Sequence, residues 1–249
     1  MNISVCICTY NGSDYIRQQL DSILIQLRTC DEVIISDDGS SDNTTDIIKD
    51  YLVDGRIRLL EHENFGHPML NFEYALKQCK GEVIFLSDQD DIWMPNKVSR
   101  ILPLLEQFDL VVSDCSVVDK DEHVLHGSFF YMTDAGSGFF KNLYKNRYLG
   151  CCMAFKKDLL CVALPFPRSI GMHDLWLGMI GEVFGETNFF SEKLIKYRRH
   201  SCNVSATSEK SKNVFLKKIH LRLSLVSNLF LRILRESYKK IIKGSKSHE

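Results

Sequence analysis

Short apolar runs alternate with segments of helical periodicity through the first part of the chain. The runs are rich in Val and Ile and are bounded by turn residues, which is typical of buried strands. The predicted strands are residues 3–8, 32–36, 57–60 and 82–86. The predicted helices between them are residues 14–26, a segment that ends at Tyr51, and residues 68–79. This alternation predicts an α/β fold with a mostly parallel sheet and helices on both faces.

From residue 108 onward the pattern is less regular. It predicts strands at residues 110–114, 150–155 and 194–199, and a helix at residues 171–184. Residues 127–138 are aromatic and Gly-rich, which favours a mobile loop. Residues 201–213 form a polar connection to a basic, amphipathic segment with helical spacing at residues 214–243. We therefore divide the chain into one α/β domain, residues 1–207, and a basic helical tail, residues 208–249.

Three carboxylates lie directly after the predicted strand at residues 82–86. Asp88, Asp90 and Asp91 fall within four residues, and Trp93 follows them. Ligands of open parallel sheets bind beyond the carboxyl ends of the strands, and clustered like charges call for a neutralising cation. Oxygen ligands select Mg²⁺ or Mn²⁺. The segment therefore predicts a metal site, and an acidic surface turn that caps the next helix is the alternative.

Composition excludes several classes of function. The 249 residues carry a formal net charge of -1, which gives no case for nucleic-acid binding. Nine scattered Cys without a pair of CxxC motifs predict buried, reduced thiols in a cytoplasmic protein and no zinc site. The first residues lack the basic region of a signal peptide, and no apolar run is long enough to span a bilayer. The absence of a P-loop motif and of GxGxxG disfavours a kinase and a dehydrogenase.

The charge is unevenly distributed along the chain. Between Ser208 and Glu249 eleven Lys and Arg stand against three Glu, a net of +8, so the remainder carries -9. Apolar residues of this tail, among them Phe215, Leu223 and Phe230, recur at helical spacing. A basic amphipathic helix of this kind favours binding to an anionic membrane surface, with packing on the domain or on a second subunit as the alternative.

Several motifs together resemble the family-2 glycosyltransferases. They are CTYNG at residues 8–12, DDGSSD at residues 37–42, Asn64 with Gly66, DQDD at residues 88–91, and His173 with Asp174. The resemblance covers residues 3–205 and implies a GT-A fold. The sequences of residues 87–93 and of HDLW at residues 173–176 are most similar to those of the rhamnosyltransferase-like branch. That branch builds bacterial surface polysaccharides such as O-antigen or capsule.

The resemblance implies a donor site for a nucleotide-diphosphate sugar, UDP- or dTDP-linked. Thr9, Tyr10 and Asn11 would line the base and ribose pocket, and Asp38 would accept a hydrogen bond from the base. Asp37 lies beside it, and a turn-forming role for Asp37 stays open. Further donor contacts would come from Asn64, Asp88, Arg198 and Arg199, with a solvated basic turn as the alternative for the two Arg.

The resemblance also assigns the metal and the chemistry. Asp90 would ligate Mn²⁺ or Mg²⁺ directly, and Asp88, Asp91 and His200 would complete its shell. Asp174 would act as the general base that deprotonates an acceptor hydroxyl in a single, inverting displacement. The alternative for Asp174 is a helix N-terminal carboxylate stabilised by the helix dipole.

The implied function is transfer of one sugar to a lipid-linked glycan at the inner face of the plasma membrane, by a protein that could be a homo-oligomer. One alternative is a nucleotide-sugar-binding partner of an assembly complex that has no turnover. Another is a nucleotidyltransferase, which would ordinarily carry a Gly-rich, basic phosphate loop near the first strand. Residues 9–13 contain one Gly and neither Lys nor Arg, which disfavours that alternative.

Overall fold

The apolar, β-branched runs form strands, and the periodic segments between them form helices. The computed structural model describes residues 1–60, 64–200 and 214–246, with the side chains of the last helix described from residue 219 to residue 239. The strands are β1 (Ile3–Thr9), β2 (Glu32–Asp37), β3 (Ile57–Leu60), β4 (Val83–Ser87), β5 (Ile92–Trp93), β6 (Leu110–Val118), β7 (Val124–His126), β8 (Met153–Lys156) and β9 (Thr187–Arg198). The helices are α1 (Ile16–Leu24), α2 (Thr44–Asp50), α3 (Pro68–Gln78), α4 (Lys97–Ile101), α5 (Leu104–Gln107), α6 (Phe129–Thr133), α7 (Phe139–Tyr144), α8 (Leu159–Ala163), α9 (His173–Phe184) and α10 (Val214–Lys246).

The strands of the described residues form one sheet in the order β3-β2-β1-β4-β8-β6-β9-β5, with β7 paired to β6. β1 runs parallel to β2 and β4, β2 runs parallel to β3, and β6 runs parallel to β9. β8 runs antiparallel to both of its neighbours, β4 and β6. β5 pairs antiparallel with β9, and β7 pairs antiparallel with β6. The sheet is therefore mixed, and the expectation of a mostly parallel sheet describes its first half. Antiparallel strands need no crossover helix between them. The second half of the chain therefore lacks the regular alternation of strands and helices from which a parallel sheet was predicted.

β1 lies where the order of the strands reverses. The chain runs from β1 outward to β2 and β3 and then returns to β4 on the other side of β1. Such a reversal leaves a crevice beyond the carboxyl ends of the two central strands. Thr9 ends β1 and Ser87 ends β4, so the loops that follow them meet at this crevice.

The core consists of the sheet and the helices packed on it. α3 packs against β1 and β2 and buries Met69, Phe72 and Leu76, which are spaced three and four residues apart. α9 is buried along most of its length, including Trp176, whose indole N–H donates to the carbonyl of Ala163 (2.9 Å). These helices fix the positions of the loops at their N-terminal ends.

Two segments of the second half differ from their prediction. Residues 127–138, expected to be a mobile loop, contain α6, and Ser128 Oγ and the backbone N–H of Phe130 both donate to the carboxylate of Asp114 (2.6 and 2.9 Å). β9 begins at Thr187 rather than at residue 194, because its first half pairs with β6. Sequence alone could not identify that partner.

α10 packs one face on the domain and leaves a second apolar face exposed. Leu225 and Leu229 are buried, and Asn228 Nδ2 donates to Ser169 Oγ (3.2 Å). Arg232 Nη1 donates to the carbonyl of Leu164 (3.0 Å). The exposed row consists of Ile219, Leu223, Val226, Phe230, Ile233 and Leu234.

The tail is a helix from Val214 to Lys246 in this structure. Packing on the domain, which was the alternative to a membrane surface, occurs along one face, and the other face is open. The predicted polar connection at residues 201–213, with the domain boundary after residue 207, lies outside the described residues. Within the part of the chain that is described, no helix is both long and apolar enough to cross a membrane.

Candidate active site

The loops after β1 and β2 are joined by hydrogen bonds. Thr9 Oγ1 donates to Asp37 Oδ2 (2.7 Å), and the backbone N–H of Asp38 donates to the carbonyl of Thr9 (2.8 Å). Asn11 has a φ of 49°, and its Oδ1 accepts the backbone N–H of Ser41 (2.8 Å). The two loops therefore form one connected edge of the crevice.

Asp37 shapes the turn that follows β2. Its Oδ1 accepts the backbone N–H groups of Gly39 (3.1 Å) and Ser40 (2.8 Å), and Ser40 Oγ donates to its Oδ2 (2.6 Å). Of the two roles left open for Asp37, the structure shows the turn-forming one.

Asp38 ties the same loop to the segment that carries Asn64. Its Oδ1 accepts the backbone N–H groups of Phe65 (2.5 Å) and Gly66 (3.2 Å). Gly39 has a φ of 81°, a left-handed conformation that favours glycine, and a Cβ there would lie 2.2 Å from Asn64 Oδ1. Within the described residues no group donates to Asp38 Oδ2, which is therefore available to a ligand.

The acidic segment after β4 follows the same edge. The Gln89 amide pairs with both backbone groups of Tyr10, accepting its N–H through Oε1 (2.8 Å) and donating to its carbonyl through Nε2 (3.0 Å). The buried amide of Gln19 donates to the carbonyl of Asp88 (3.0 Å). The segment is thus fixed at both of its first two residues.

Arg198, at the end of β9, supports the acidic segment from inside the protein. Its backbone N–H donates to Asp91 Oδ1 (3.0 Å). Its guanidinium donates to the carbonyls of Asp90 (2.9 Å) and Lys120 (2.7 Å) and to Gln18 Oε1 (2.7 Å). The structure therefore uses this side chain to position the loop and does not bring it to the crevice.

His200 and Arg199 lie next to this support. His200 Nε2 is 2.8 Å from Asp90 Oδ2, and its ring lies 4.9 Å from the ring of Tyr15. The Arg199 guanidinium lies 6.0 Å from the ring of Tyr197. His200 therefore reaches the carboxylate that was predicted to bind the metal, and Arg199 contacts a wall of the cavity described below.

Burial and mutual repulsion raise the pKa values of two carboxyl groups of the acidic segment. Desolvation, followed by repulsion from Asp90, raises the pKa of Asp88 to about 7. Asp91 is 1% exposed, its burial raises its pKa well above the usual range, and its Oδ2 has no hydrogen-bond partner among the described residues. Beneath the segment Lys97 Nζ donates to the carbonyl of Cys151 (2.8 Å), and burial lowers the pKa of this lysine to about 8.

These residues fit a divalent cation. Asp88, Asp91 and Cys151 have ligand atoms that lie within 4.8 Å of one another, and Asp90 with His200 lies beside them. Most of the donor atoms are carboxylate oxygens, which suit Mg²⁺ and Mn²⁺. A bound cation would also relieve the repulsion between the carboxylates.

One cavity of about 200 Å³ lies between the loops that follow β1, β2 and β4 and the start of α9. We call these three loops the donor loops. Thr9, Asp38 and Asp88 lie on its first side, and His173 and Asp174 lie on its second. The other lining residues are Cys8, Tyr10, Pro68, Asn71, Phe72, Gln89, Asp90, Leu149, Gly150, Met172 and Tyr197.

Asp174 lies in the first turn of α9. Asn146 Nδ2 donates to its Oδ2 (3.2 Å), and the backbone N–H of Leu175 donates to its Oδ1 (2.6 Å). Burial raises the pKa of Asp174 to about 6. At neutral pH this carboxylate is therefore ionised and more basic than an exposed Asp, which suits a proton acceptor.

His173 is a site residue to which no role was assigned from sequence. It is 5% exposed, its ring stacks on Phe72 at 4.0 Å, and neither ring nitrogen has a hydrogen-bond partner among the described residues. Burial lowers its pKa to about 3, so the imidazole is neutral at physiological pH. A Cβ on Gly150 would lie 3.0 Å from His173 Nε2, which keeps that position small.

The predicted site residues fall into two sets. Those that line the cavity are Thr9, Tyr10, Asp38, Asp88, Asp90 and Asp174. Those that surround or support it without lining it are Asn11, Asp37, Asn64, Asp91, Arg198, Arg199 and His200. Of the four residues predicted to ligate the metal, Asp88 and Asp90 line the cavity, whereas Asp91 and His200 do not.

Sequence reasoning also missed residues that hold the site. They are Gln19, Gln89, Lys97, Asn146 and His173. Gln89 belongs to the DQDD motif and His173 to the HDLW motif, so the sequence did carry a signal for each of them. Nothing in the sequence links Gln19, Lys97 or Asn146 to the site, because their contacts join distant parts of the chain.

Known proteins are similar to this chain in sequence. The model of "Glycosyl transferase family 2" matches residues 4–160. An uncharacterized glycosyltransferase of Nostoc sp. is 34% identical over 113 residues, which are 45% of this chain and 35% of that protein. The putative teichuronic acid biosynthesis glycosyltransferase TuaG of Bacillus subtilis is 25% identical over 221 residues, 84% of this chain and 83% of TuaG. The chain thus spans nearly all of TuaG but about a third of the Nostoc relative.

Solved structures share the fold. S. aureus TarS 1-349 in complex with UDP-GlcNAc matches with a TM-score of 0.71 at 21% identity, over 91% of this chain and 66% of that one. The mannosyltransferase PcManGT from Pyrobaculum calidifontis, in complex with GDP-Man and Mn²⁺, matches with a TM-score of 0.60 at 19% identity, over 94% of this chain and 64% of that one. The architecture is therefore the GT-A fold that the motifs imply. Because the family model covers more than half of its residues, the chain belongs to glycosyl transferase family 2.

Proposed function

We propose that the protein transfers one sugar from a nucleotide-diphosphate sugar to a hydroxyl group of a glycan acceptor, with inversion at the anomeric carbon. The observation that carries this proposal is a single cavity with Asp38, Asp88 and Asp90 on one side and Asp174 on the other. The donor would bind at the first side, and the reacting hydroxyl would approach from the second.

The donor half of the proposal rests on the loops after β1, β2 and β4. Thr9 and Tyr10 line the cavity next to Asp38, whose free Oδ2 can accept a hydrogen bond from a nucleotide base. Asp88, Asp90 and His200 would hold a Mn²⁺ or Mg²⁺ ion, which when bound would neutralise the diphosphate and the charge that develops on the leaving group. The binding of GDP-Man and Mn²⁺ by PcManGT, which shares the fold, supports this assignment.

The chemical half rests on Asp174. An ionised, buried carboxylate with a pKa of about 6 can accept the proton of the attacking hydroxyl. Asn146 holds one of its oxygens by a hydrogen bond, which would orient the carboxylate for this transfer. A single base suffices for one displacement, and one displacement inverts the configuration.

The acceptor is proposed to be a lipid-linked glycan of a bacterial surface polysaccharide, such as O-antigen or capsule. The protein would then work in the cytoplasm, on the inner face of the plasma membrane. The exposed apolar row of α10 supports this location, and so does the name of TuaG, which refers to teichuronic acid biosynthesis.

A panel of nucleotide sugars tests the function. The melting temperature of the protein is measured with Mn²⁺ and each UDP-, dTDP- and GDP-sugar, and a ligand at about 100 times its Kd should add about 2.7 kcal/mol of stability. Slow release of free sugar from the best ligand would then demonstrate turnover. Tight binding with no release of sugar, even with glycan acceptors present, would favour the alternative of a nucleotide-sugar-binding partner without activity.

A further inference from the structure

A second, larger cavity of about 750 Å³ lies between α7 and α10. Its walls are apolar, with Phe140, Leu143 and Tyr144 on one side and the row that begins with Ile219 and Leu223 on the other. Phe140 and Tyr144 are 82% and 85% exposed, and Leu223 is 64% exposed. The volume is in the range of clefts that bind small molecules, so this groove is large enough for a chain-like apolar ligand.

The charged groups that line the groove are cationic. Among the described residues they are Lys145 and Arg222, and no acidic residue lines the groove there. Arg222 is half-buried, and its burial lowers its pKa. Within the described residues neither of the two side chains has a hydrogen bond or an ion pair to a protein group. A guanidinium that is withdrawn from water without an anion is costly to the fold, and a bound anion would offset that cost.

The groove adjoins the proposed catalytic base along two segments. Lys145 lines the groove, and its neighbour Asn146 donates to Asp174. On the other side, a Cβ on Gly171 would contact the Leu221 side chain at 3.8 Å, and Gly171 is followed by Met172, which lines the active-site cavity. A ligand in the groove would therefore extend toward the side of the cavity where the acceptor hydroxyl is expected.

We propose that this groove binds the lipid phosphate of the acceptor, with its apolar chain between α7 and α10 and its phosphate at Arg222 and Lys145. The inference deepens the proposed function, on which it rests for the identity of the lipid as an acceptor. Apolar walls match the chain, and the two unpaired cations match the phosphate in charge. The glycan on the phosphate would then lie next to Asp174.

Two other occupants fit the surface less well. A second copy of this helix would bring Arg222 against its own counterpart if the same faces met, which places like charges together. A flat bilayer would cover the exposed row of α10 but would leave the depth of the groove unfilled. The test below makes each of them a distinct outcome.

The probe is dodecyl phosphate, used below its micelle concentration and measured by titration calorimetry on the full chain. The wild-type protein should bind it, whereas dodecanol and inorganic phosphate should each bind at least about tenfold more weakly, since each lacks one half of the interaction. Arg222→Gln should weaken binding by about tenfold, and Arg222→Lys should restore part of it. Leu223→Asp should abolish binding by placing a carboxylate in the apolar wall.

Arg235→Gln is the matched control, because it removes one positive charge from the same helix outside the groove. It should change the affinity by less than about twofold. Unchanged melting temperatures would show that each variant is folded. Binding of nucleotide sugar, measured separately, keeps a failure of the proposed function distinct from a failure of the groove.

Three results would overturn the proposal. The first is equal affinity of dodecyl phosphate for the wild type and for Arg222→Gln. The second is binding to phosphatidylglycerol vesicles with no binding of dispersed dodecyl phosphate, which would assign the surface to the bilayer. The third is a dimer by light scattering that Leu223→Asp converts to a monomer, which would make the groove a subunit interface.

Discussion

Polar side chains on the two sides of the active-site cavity differ in their hydrogen bonding. On the donor side, the carboxylate of Asp37 and the amide of Gln89 are bonded to backbone groups of neighbouring loops. On the acceptor side, Asp174 is bonded to Asn146 and to the backbone of Leu175, but His173 beside it has no partner among the described residues for either ring nitrogen. Hydrogen bonds within the protein thus shape the loops after β1 and β2 and the start of the acidic segment, where Asp91 Oδ2 is a buried atom without a partner among the described residues. The imidazole of His173, by contrast, is expected to find its partner in the substrate.

This difference has an energetic meaning. Paired loop residues stabilise both the fold and the site, so their loss should reduce stability and donor affinity together. Unpaired buried groups cost stability and persist at functional sites, so their loss should leave the fold intact or improve it while it impairs transfer. Variants on each side of the cavity test this difference between paired and unpaired groups.

Asp90→Ala should have the largest effect. Transfer should fall at least about 10³-fold, since the variant loses a carboxylate that lines the cavity and holds His200. The fold should persist, because Asp90 repels Asp88 and carries little core packing. Thermal melts with and without Mn²⁺ provide a readout other than activity, and the stabilisation by Mn²⁺ should disappear. Asp46→Ala, an exposed carboxylate on α2, is the matched control, and a Mn²⁺ response like that of the wild type in Asp90→Ala would contradict the metal assignment.

Asp174→Asn should lower turnover by about 10²-fold or more with little change in donor affinity, because the amide keeps the shape and cannot accept the proton. Its stability should rise. The native pKa of about 6 lies above the usual 3.8, so the ionised side chain costs up to about 3 kcal/mol above pH 6. Denaturant melts at pH 7.5 would measure that gain. Weak donor binding with normal turnover would instead identify Asp174 as a binding residue.

The same carboxylate predicts a pH dependence. Asp174 is an effective base only when it is deprotonated, so kcat at saturating substrate should fall as the pH drops below about 6, by about tenfold per unit. Mn²⁺ and donor must be kept saturating throughout, because Asp88, whose pKa is raised to about 7, is protonated over the same range. A kcat that remains flat from pH 7 down to pH 5 would exclude Asp174 as the base.

The donor side was also the part of the molecule that sequence predicted best. Alternating strands and helices in the first half identified β1 to β4, with β3 at the predicted residues 57–60, and the loops between them held the motifs. The contacts that shape those loops were not predictable, since the pairings of Gln89 with Tyr10 and of Arg198 with Asp91 join residues about 80 and 107 positions apart.

The acceptor side was predicted less well for a physical reason. Its strands pair antiparallel or with distant partners, so the pattern of neighbouring elements does not indicate which strand adjoins which. Asp174 was found because it belongs to a motif. The groove between α7 and α10 could not be found, because it exists only where two segments about 75 residues apart are packed together.

His173→Leu is expected to separate function from stability. Transfer should fall by about tenfold, the worth of roughly one hydrogen bond to a substrate hydroxyl. Stability should stay the same or rise, since two buried nitrogens without partners are removed. His67 gives the contrast, because its Nδ1 accepts the backbone N–H of Met69 at the start of α3, and His67→Leu should lower stability instead. Unchanged transfer in His173→Leu would mean that the imidazole meets no substrate.

Gln89→Ala should have the smallest effect and the opposite signature. The variant loses two hydrogen bonds to the backbone of Tyr10, so stability should fall by about 1 kcal/mol and the donor should bind roughly threefold more weakly. Turnover at saturating donor should be unchanged, because the side chain positions a loop and does not meet the reacting atoms. Isothermal titration with the nucleotide sugar and denaturant melts measure the two effects. Were Gln89→Ala to retain full stability while losing turnover, the donor loops would depend on the ligand for their shape, and the contrast between the two sides of the cavity would fail.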